Sequence, residues 1–354
     1  MMIMIRRPLS LFLAFFIALF GMNHAFRIVS RNTVSRVPSR CFAMSTNPIS
    51  YKIGFMFPGQ GAQSVGMAKA VTDELAAAKL LFDKASSILG YDLLDKCVNG
   101  PKEQLDSTVI SQPAIFVSSM AALEKLKLEN LELYNSATVA MGLSLGEYSA
   151  LCFAGAFSFE DGVRLTKLRG EAMQAASDAS SSGMVAILGC DVAKVDEICK
   201  AATEKSGKPI SIANYLCAGN YAVSGAKEAC EVAREIAPQY GATMVVPLAV
   251  AGAFHTQFMA SAVEPLRKAL AQVEIKTPRL PVISNVDAEA HYDPNDIRDI
   301  LARQVTNPVQ WETIIGRMVK SPEYVKSYEI GPGKVCRGLI KRFGKKLEVD
   351  SVTV

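Results

Sequence analysis

Ser144 stands at the centre of Gly142-Leu143-Ser144-Leu145-Gly146-Glu147, directly after the apolar, β-branched run Ala137-Thr-Val-Ala-Met141 and directly before the helix-prone Glu147-Tyr-Ser-Ala-Leu-Cys152. Strand, sharp turn and helix in that order make a nucleophile elbow. The two glycines permit the close backbone approach that such a turn needs. The hydroxyl then stands clear of the chain beside the amides of a helix N-terminus, where an oxyanion would be stabilised. The chemistry this implies is acyl transfer through a serine ester.

A serine nucleophile needs a base, and the chain has only three histidines. His24 falls in a targeting segment, and His291 lies in the polar, turn-rich Glu289-Ala-His-Tyr-Asp-Pro-Asn-Asp296, which reads as a solvated loop. His255 follows the apolar run Val246 to Phe254 and precedes a helix-like segment. At the mouth of a parallel strand it would meet the elbow serine. Arg169 is the most informative charge. In the helix begun by Ser158-Phe-Glu-Asp161, the residues Leu165, Leu168, Ala172, Met173 and Ala176 form an apolar arc, with Arg164, Lys167, Glu171 and Gln174 opposite. Arg169 lies inside that arc, so its guanidinium must find an anion: either an internal carboxylate or a substrate carboxylate gripped bidentately. In Phe55-Met-Phe-Pro-Gly-Gln-Gly-Ala-Gln63 an apolar strand runs into a glycine-rich loop that lacks the G-K-[ST] or G-x-G-x-x-G of a phosphate cradle. It is either a plain strand-to-helix turn or the donor of a second oxyanion-hole amide near Gln60.

The elements that would position these residues alternate: a strand at Ile53 to Phe57, a helix within Met67 to Leu89, helices from Pro113 to Leu126, and the strand at Ala137. Such alternation predicts a parallel sheet covered by helices. Between Ser180 and Gly252 the order changes to strand (Met184 to Leu188), helix (Val192 to Thr203), strand (Ile210 to Leu216), strand (Ala222 to Gly225), helix (Ala226 to Gln239) and strand (Thr243 to Leu248). The predicted fold is therefore α/β: a parallel-sheet, α/β-hydrolase-like core over residues 50–179 and 251–345, with an inserted ferredoxin-like βαββαβ subdomain at 180–250. The insertion falls between Ser144 and His255 and would open a cleft between them.

The N-terminus has a different character. Arg6-Arg7, the apolar run Leu11 to Phe20 and Asn23-His-Ala25 read as a signal peptide over residues 1–25, with a signal anchor as the alternative, although ten apolar residues are too few to span a bilayer as a helix. Residues 26–46 are rich in Arg, Ser and Thr, and the first acidic residue is Asp73, a transit-peptide composition. The pair resembles the bipartite presequence of algae with plastids of red-algal origin. It predicts a plastid stroma, with a mitochondrion or the secretory pathway as alternatives. Met44 would also serve as an internal start. Six of the 38 basic residues and no acid precede Ser45, so the remainder carries 32 basic against 34 acidic residues. Without a basic field, no nucleic-acid partner is expected, and no membrane partner for the mature form. The eight cysteines form no C-x-x-C pair and read as buried thiols of a reducing compartment.

Taken in order, Phe57-Pro-Gly-Gln-Gly61, Gly142-Leu-Ser-Leu-Gly-Glu147, Arg169-Gly170, Gly252-Ala-Phe-His255, Asn307-Pro-Val-Gln-Trp311 and Gly331-Pro-Gly-Lys334 resemble the malonyl-CoA:acyl carrier protein transacylases, from about Tyr51 to Phe343. The resemblance implies that malonyl-CoA acylates Ser144, that His255 is the general base and that Arg169 binds the malonyl carboxylate. It implies backbone amides of Gln60 and Leu145 as oxyanion hole, and Gln310 as the residue orienting His255. It further implies that Phe254 accompanies malonyl over methylmalonyl preference. Malonyl-CoA and acyl carrier protein are the implied partners of a monomer with no metal and no cofactor. Leu143 replaces a histidine common in bacterial members, and Leu216-Cys-Ala-Gly219 replaces the usual Asn-Ser-Pro-Gly. A hydrolase would place its histidine near the chain end behind a carboxylate, whereas residues continue here well past His255. A non-catalytic carrier-binding subunit would not need both Ser144 and His255. The basic run Lys334, Arg337, Lys341, Arg342, Lys345, Lys346 is either a docking face for an acidic carrier or a solvated helix face.

Overall fold

A computed structural model describes residues 48–354. The signal-peptide and transit-peptide readings at 1–25 and 26–46 lie outside the described residues. Among the described residues nine strands follow in the order β1 (Ile53–Phe57), β2 (Val139–Gly142), β3 (Ser182–Leu188), β4 (Ile210–Cys217), β5 (Asn220–Ala226), β6 (Met244–Pro247), β7 (Val282–Ile283), β8 (Lys326–Ile330) and β9 (Val349–Val352). Five of them make a parallel sheet in the order β7-β2-β1-β8-β9. The core was expected to end at 345, but β9 extends the sheet beyond that limit by pairing with β8.

The apolar run of β1 is buried on both faces because its side chains alternate across the sheet. Phe55 and Phe57 feed the core under the helices Thr108–Glu129 and Gly146–Phe153, where Phe55 stacks on Phe153 at 5.3 Å. Met56 points to the other side, with Trp311, Ile315 and Ile340 from the helices Trp311–Lys320 and Val335–Phe343. The helix Phe159–Asp178 starts where expected, with the Ser158 side chain accepting the Asp161 N–H.

The block β3 to β6 forms a separate antiparallel sheet in the order β4-β5-β3-β6, the ferredoxin-like arrangement. Helices Val192–Ser206 and Lys227–Ile236 cover one face, burying Val185 and Ile187 of β3. Met184, on the opposite face of β3, packs with Met173, Phe254 and Met259. The two sheets are joined by the segment after Asn307: Val309 makes a parallel bridge to Asn214, accepting from Tyr215 N–H and donating to Ala213 O. Among the described residues no helix is long and apolar enough to cross a membrane.

Candidate active site

Parallel pairing sets Phe57 of β1 beside Gly142 of β2, so the loops leaving both strands emerge together at the C-terminal edge of the sheet. Ser144 there has φ 52°, a left-handed conformation that a non-glycine residue adopts only when its surroundings impose it. The flanking glycines are required by space. A Cβ at Gly142 would run into the backbone of Gly146, and one at Gly146 into the Phe57 carbonyl. Asn285, just after β7, clamps the turn: its Oδ1 accepts the Ser144 N–H at 2.6 Å and its Nδ2 donates to Gly142 O at 2.7 Å. A Cβ at Gly59 would strike Leu143 O, so the Gly59-Gln60-Gly61 loop lies directly against the elbow. Among the described residues no protein acceptor takes the main-chain N–H of Gln60 or of Leu145.

Ser144 Oγ lies 2.7 Å from His255 Nε2. His255 itself has φ 60° and is 3% exposed. It does not sit at the mouth of a parallel strand, as expected; β6 is an antiparallel edge strand ending at Pro247, and His255 belongs to the irregular segment that follows. Nor does Gln310 orient it. His255 Nδ1 meets the main-chain carbonyl of Gln304 at 3.0 Å, whereas Gln310 donates its own N–H to Asn285 O within the segment that splices the two sheets. A carbonyl accepts only, so Nδ1 carries the proton and Nε2 is free to take one from Ser144. Burial, and then the Arg169 charge, push the His255 imidazole down to about 4, which keeps it neutral at ordinary pH.

Arg169 is 1% exposed, and among the described residues no carboxylate lies within ion-pairing distance of it. Its acceptors are all neutral: Nη1 donates to Gln112 Oε1 at 2.8 Å, while Nη2 donates to Gln304 Oε1 at 2.9 Å and to Ser144 Oγ at 3.0 Å. The Tyr148 ring lies 5.5 Å from the guanidinium carbon. Of the two anions open from the sequence, the internal carboxylate is therefore not in contact. Glu147 is reached only through Gln304, whose Nε2 donates to Glu147 Oε2 at 2.7 Å and to Ser144 O at 3.0 Å. Burial pushes the Glu147 carboxyl up to about 7, against the pull of its Asn285 and Gln304 donors.

Gln112, Asn285 and Gln304 escaped the sequence reading. Gln304 had a signal of the kind that singled out Arg169, a polar side chain on the arc of Ile297, Ile300 and Leu301. Gln112, enclosed by Ser111 and Pro113-Ala-Ile-Phe116 in a buried helix, had the same. His291, by contrast, bonds Asp287 at 2.9 Å and takes no part in the serine's contacts.

Over these groups opens a cleft of about 560 Å³, bounded by the Gly59–Gly61 loop, by Met184, Ala186 and Leu188 of β3, and by Lys334 and Arg342. Ser144 and His255 touch, so the cleft lies above both of them and not between them. Leu143 and Leu216, two of the positions that depart from the family pattern, line it, while Cys217 is buried. The seven cysteines of the described residues are free thiols.

Residues 54–354 match the family model described as acyl transferase domain. The malonyl CoA-acyl carrier protein transacylase of Bacillus subtilis is 39% identical over 85% of this chain and 93% of its own length. The mitochondrial malonyl-CoA-acyl carrier protein transacylase of Homo sapiens is 38% identical over 87% of this chain and 78% of its own. Among solved structures, the acyl-carrier-protein S-malonyltransferase of Bartonella henselae superposes with TM-score 0.81 at 37% identity, covering 85% of this chain and 95% of that one. A malonyl-transacylase solved in complex with a type II polyketide acyl-carrier protein superposes with TM-score 0.79 at 33% identity, covering 86% and 96%. A serine held in a strained elbow against a neutral histidine, on this fold and with these relatives, places the chain in the acyl transferase family.

Proposed function

We propose that this enzyme moves a malonyl group from malonyl-CoA to the phosphopantetheine thiol of acyl carrier protein, as a supplier of fatty acid synthesis. The observation that carries the reading is the 3.0 Å contact between the buried, carboxylate-free Arg169 guanidinium and Ser144 Oγ. An anion seated on that guanidinium lies about one carbon away from a carbonyl under attack by Oγ, which describes a malonyl half-thioester. Acetyl has no charge to meet, and a longer diacid would carry its carbonyl past the serine.

Ser144 gives its proton to His255 Nε2 as Oγ attacks the thioester carbonyl, and the oxyanion is received by the free N–H groups of Gln60 and Leu145. Collapse breaks the C–S bond, and the imidazolium returns the proton to the departing CoA thiolate. The carrier thiol then loses its proton to His255 and attacks the ester, and Ser144 leaves and is reprotonated. An imidazolium titrating near 4 gives its proton up readily to a thiolate whose conjugate acid titrates near 8.5. A thiolate is a good leaving group, so a main-chain carbonyl behind His255 suffices where a peptidase uses a carboxylate.

The basic rim formed by Lys334 and Arg342 supports docking of an acidic carrier. We read residues 1–46 as a bipartite presequence to a plastid stroma and the mature enzyme as a monomer. In the test, malonylated enzyme freed of CoA is mixed with phosphopantetheinylated carrier protein. The malonyl group should pass to the carrier within the time of steady-state turnover. A malonyl-enzyme that hydrolyses without ever loading the carrier would refute the reading.

A further inference from the structure

Glu147 is a fully buried carboxylate one residue inside the helix that follows the elbow, and no step above uses it. One oxygen, Oε2, accepts both the Asn285 N–H at 3.0 Å and the Gln304 Nε2–H at 2.7 Å. The second contact has a consequence for Arg169. A glutamine amide presents a donor on one side and an acceptor on the other, and only its surroundings decide which way it is turned. Gln304 Nε2 faces two acceptors, Glu147 Oε2 and Ser144 O, and Oε1 is thereby turned to Arg169 Nη2 at 2.9 Å. With the amide reversed, an NH₂ group would confront the guanidinium and an oxygen would confront the carboxylate.

We propose that Glu147 is a positioning residue for substrate selection: by accepting the Gln304 Nε2–H it holds Gln304 Oε1 on Arg169 and so fixes the guanidinium that receives the substrate carboxylate. The inference rests on the malonyl reading of Arg169. It differs from a purely structural role in what it affects. Through Asn285, Glu147 also braces the elbow, and loss of that brace slows acylation by every thioester alike. Loss of the Gln304 contact weakens only the grip on a charged acyl group. The ratio of malonyl to acetyl transfer therefore isolates the second effect.

The test compares acylation of Ser144 by malonyl-CoA and by acetyl-CoA in the wild type, Glu147→Gln and Glu147→Met. Glu147→Gln keeps an oxygen that accepts both N–H groups and should hold the malonyl-to-acetyl ratio of kcat/KM within about threefold of wild type. Glu147→Met fills the volume but accepts nothing. The same ratio should fall at least about tenfold, mainly through KM for malonyl-CoA, on the scale of one lost charge-assisted contact. An unchanged ratio in folded Glu147→Met overturns the proposal. If that variant does not fold, Glu147→Leu, which also accepts nothing, takes its place under the same criterion, and a collapsed ratio in Glu147→Gln overturns the acceptor argument. Arg169→Ala, measured beside them, separates the two levels. If Arg169→Ala leaves the ratio intact, the malonyl reading itself has failed; if only Arg169→Ala moves it, the role of Glu147 alone has failed.

Discussion

Arg169→Ala removes a charge that the fold keeps dry and supplies with neutral partners only. Two consequences are common to every substrate. The oxygens of Gln112 and Gln304 lose a donor, at about 1–3 kcal/mol each in stability, and Ser144 Oγ loses one hydrogen bond. One consequence is selective: malonyl-CoA brings a carboxylate into a site that no longer neutralises it, at about 2–5 kcal/mol, or a factor of about 30 to several thousand in kcat/KM. Acetyl-CoA brings no charge, so its rate should shift by about tenfold at most. The Arg169 charge is also the second cause, after burial, of the lowered His255 pKa, so the acid limb of the acetyl reaction should move upward in the variant. The assay is single-turnover acylation by each thioester on protein shown to be folded by circular dichroism and a cooperative urea transition. Equal losses for malonyl and acetyl would refute the idea that the guanidinium awaits a substrate carboxylate.

Three further outcomes follow from the same geometry. His255 must be neutral to accept the Ser144 proton and titrates near 4, so kcat/KM for acylation should stay level from pH 8 down to about pH 5 and fall only below that; an acid limb at 6.5 would show an imidazole in water and not the buried one. In stability the sign is the same: the folded state refuses a proton that the unfolded chain takes at about 6.5, so this contribution is complete above that pH and is lost as pH falls through 4. Asn285→Ala removes both hydrogen bonds that hold Ser144 at φ 52°, and should cost about 2–3 kcal/mol in urea unfolding and slow malonyl and acetyl acylation alike by about tenfold or more; a change in their ratio would speak against a pure elbow clamp. Arg342→Glu at the cleft rim should slow loading of an acidic carrier most at low salt, with the deficit shrinking near 0.15 M, where the Debye length is about 8 Å; a salt-independent loss would exclude steering.

The parts of the site legible in the sequence were those carried by side chains in periodic surroundings. The elbow glycines announced themselves because a turn between a buried strand and a helix leaves no room for Cβ, and the collisions at Gly142 and Gly146 bear that out. Arg169 stood out as a charge on an apolar arc, and the βαββαβ order was readable because each strand and helix there has its own period. What supports His255 was not readable, since a main-chain carbonyl leaves no mark on residue type; the expected glutamine side chain proved to be six positions away from the residue whose carbonyl is used. The two-residue β7 is too short to show any period, yet it delivers Asn285 to the elbow. The seat of His255 is hidden for a similar reason: Val246 to Phe254 looks like one apolar strand, but the last bond to β3 is the Leu248 N–H on Met184 O, and by Gly252 the chain packs on Ser177, outside the sheet.

A malonyl ester on Ser144 is detected by intact mass and peptide mapping of the wild type and Ser144→Ala after brief exposure to malonyl-CoA without carrier protein. The wild type should gain the mass of one malonyl group, confined to the peptide containing Ser144 and discharged by added CoA, and Ser144→Ala should gain nothing. A malonyl mass on folded Ser144→Ala, or a wild-type adduct mapped to any other residue, would contradict it.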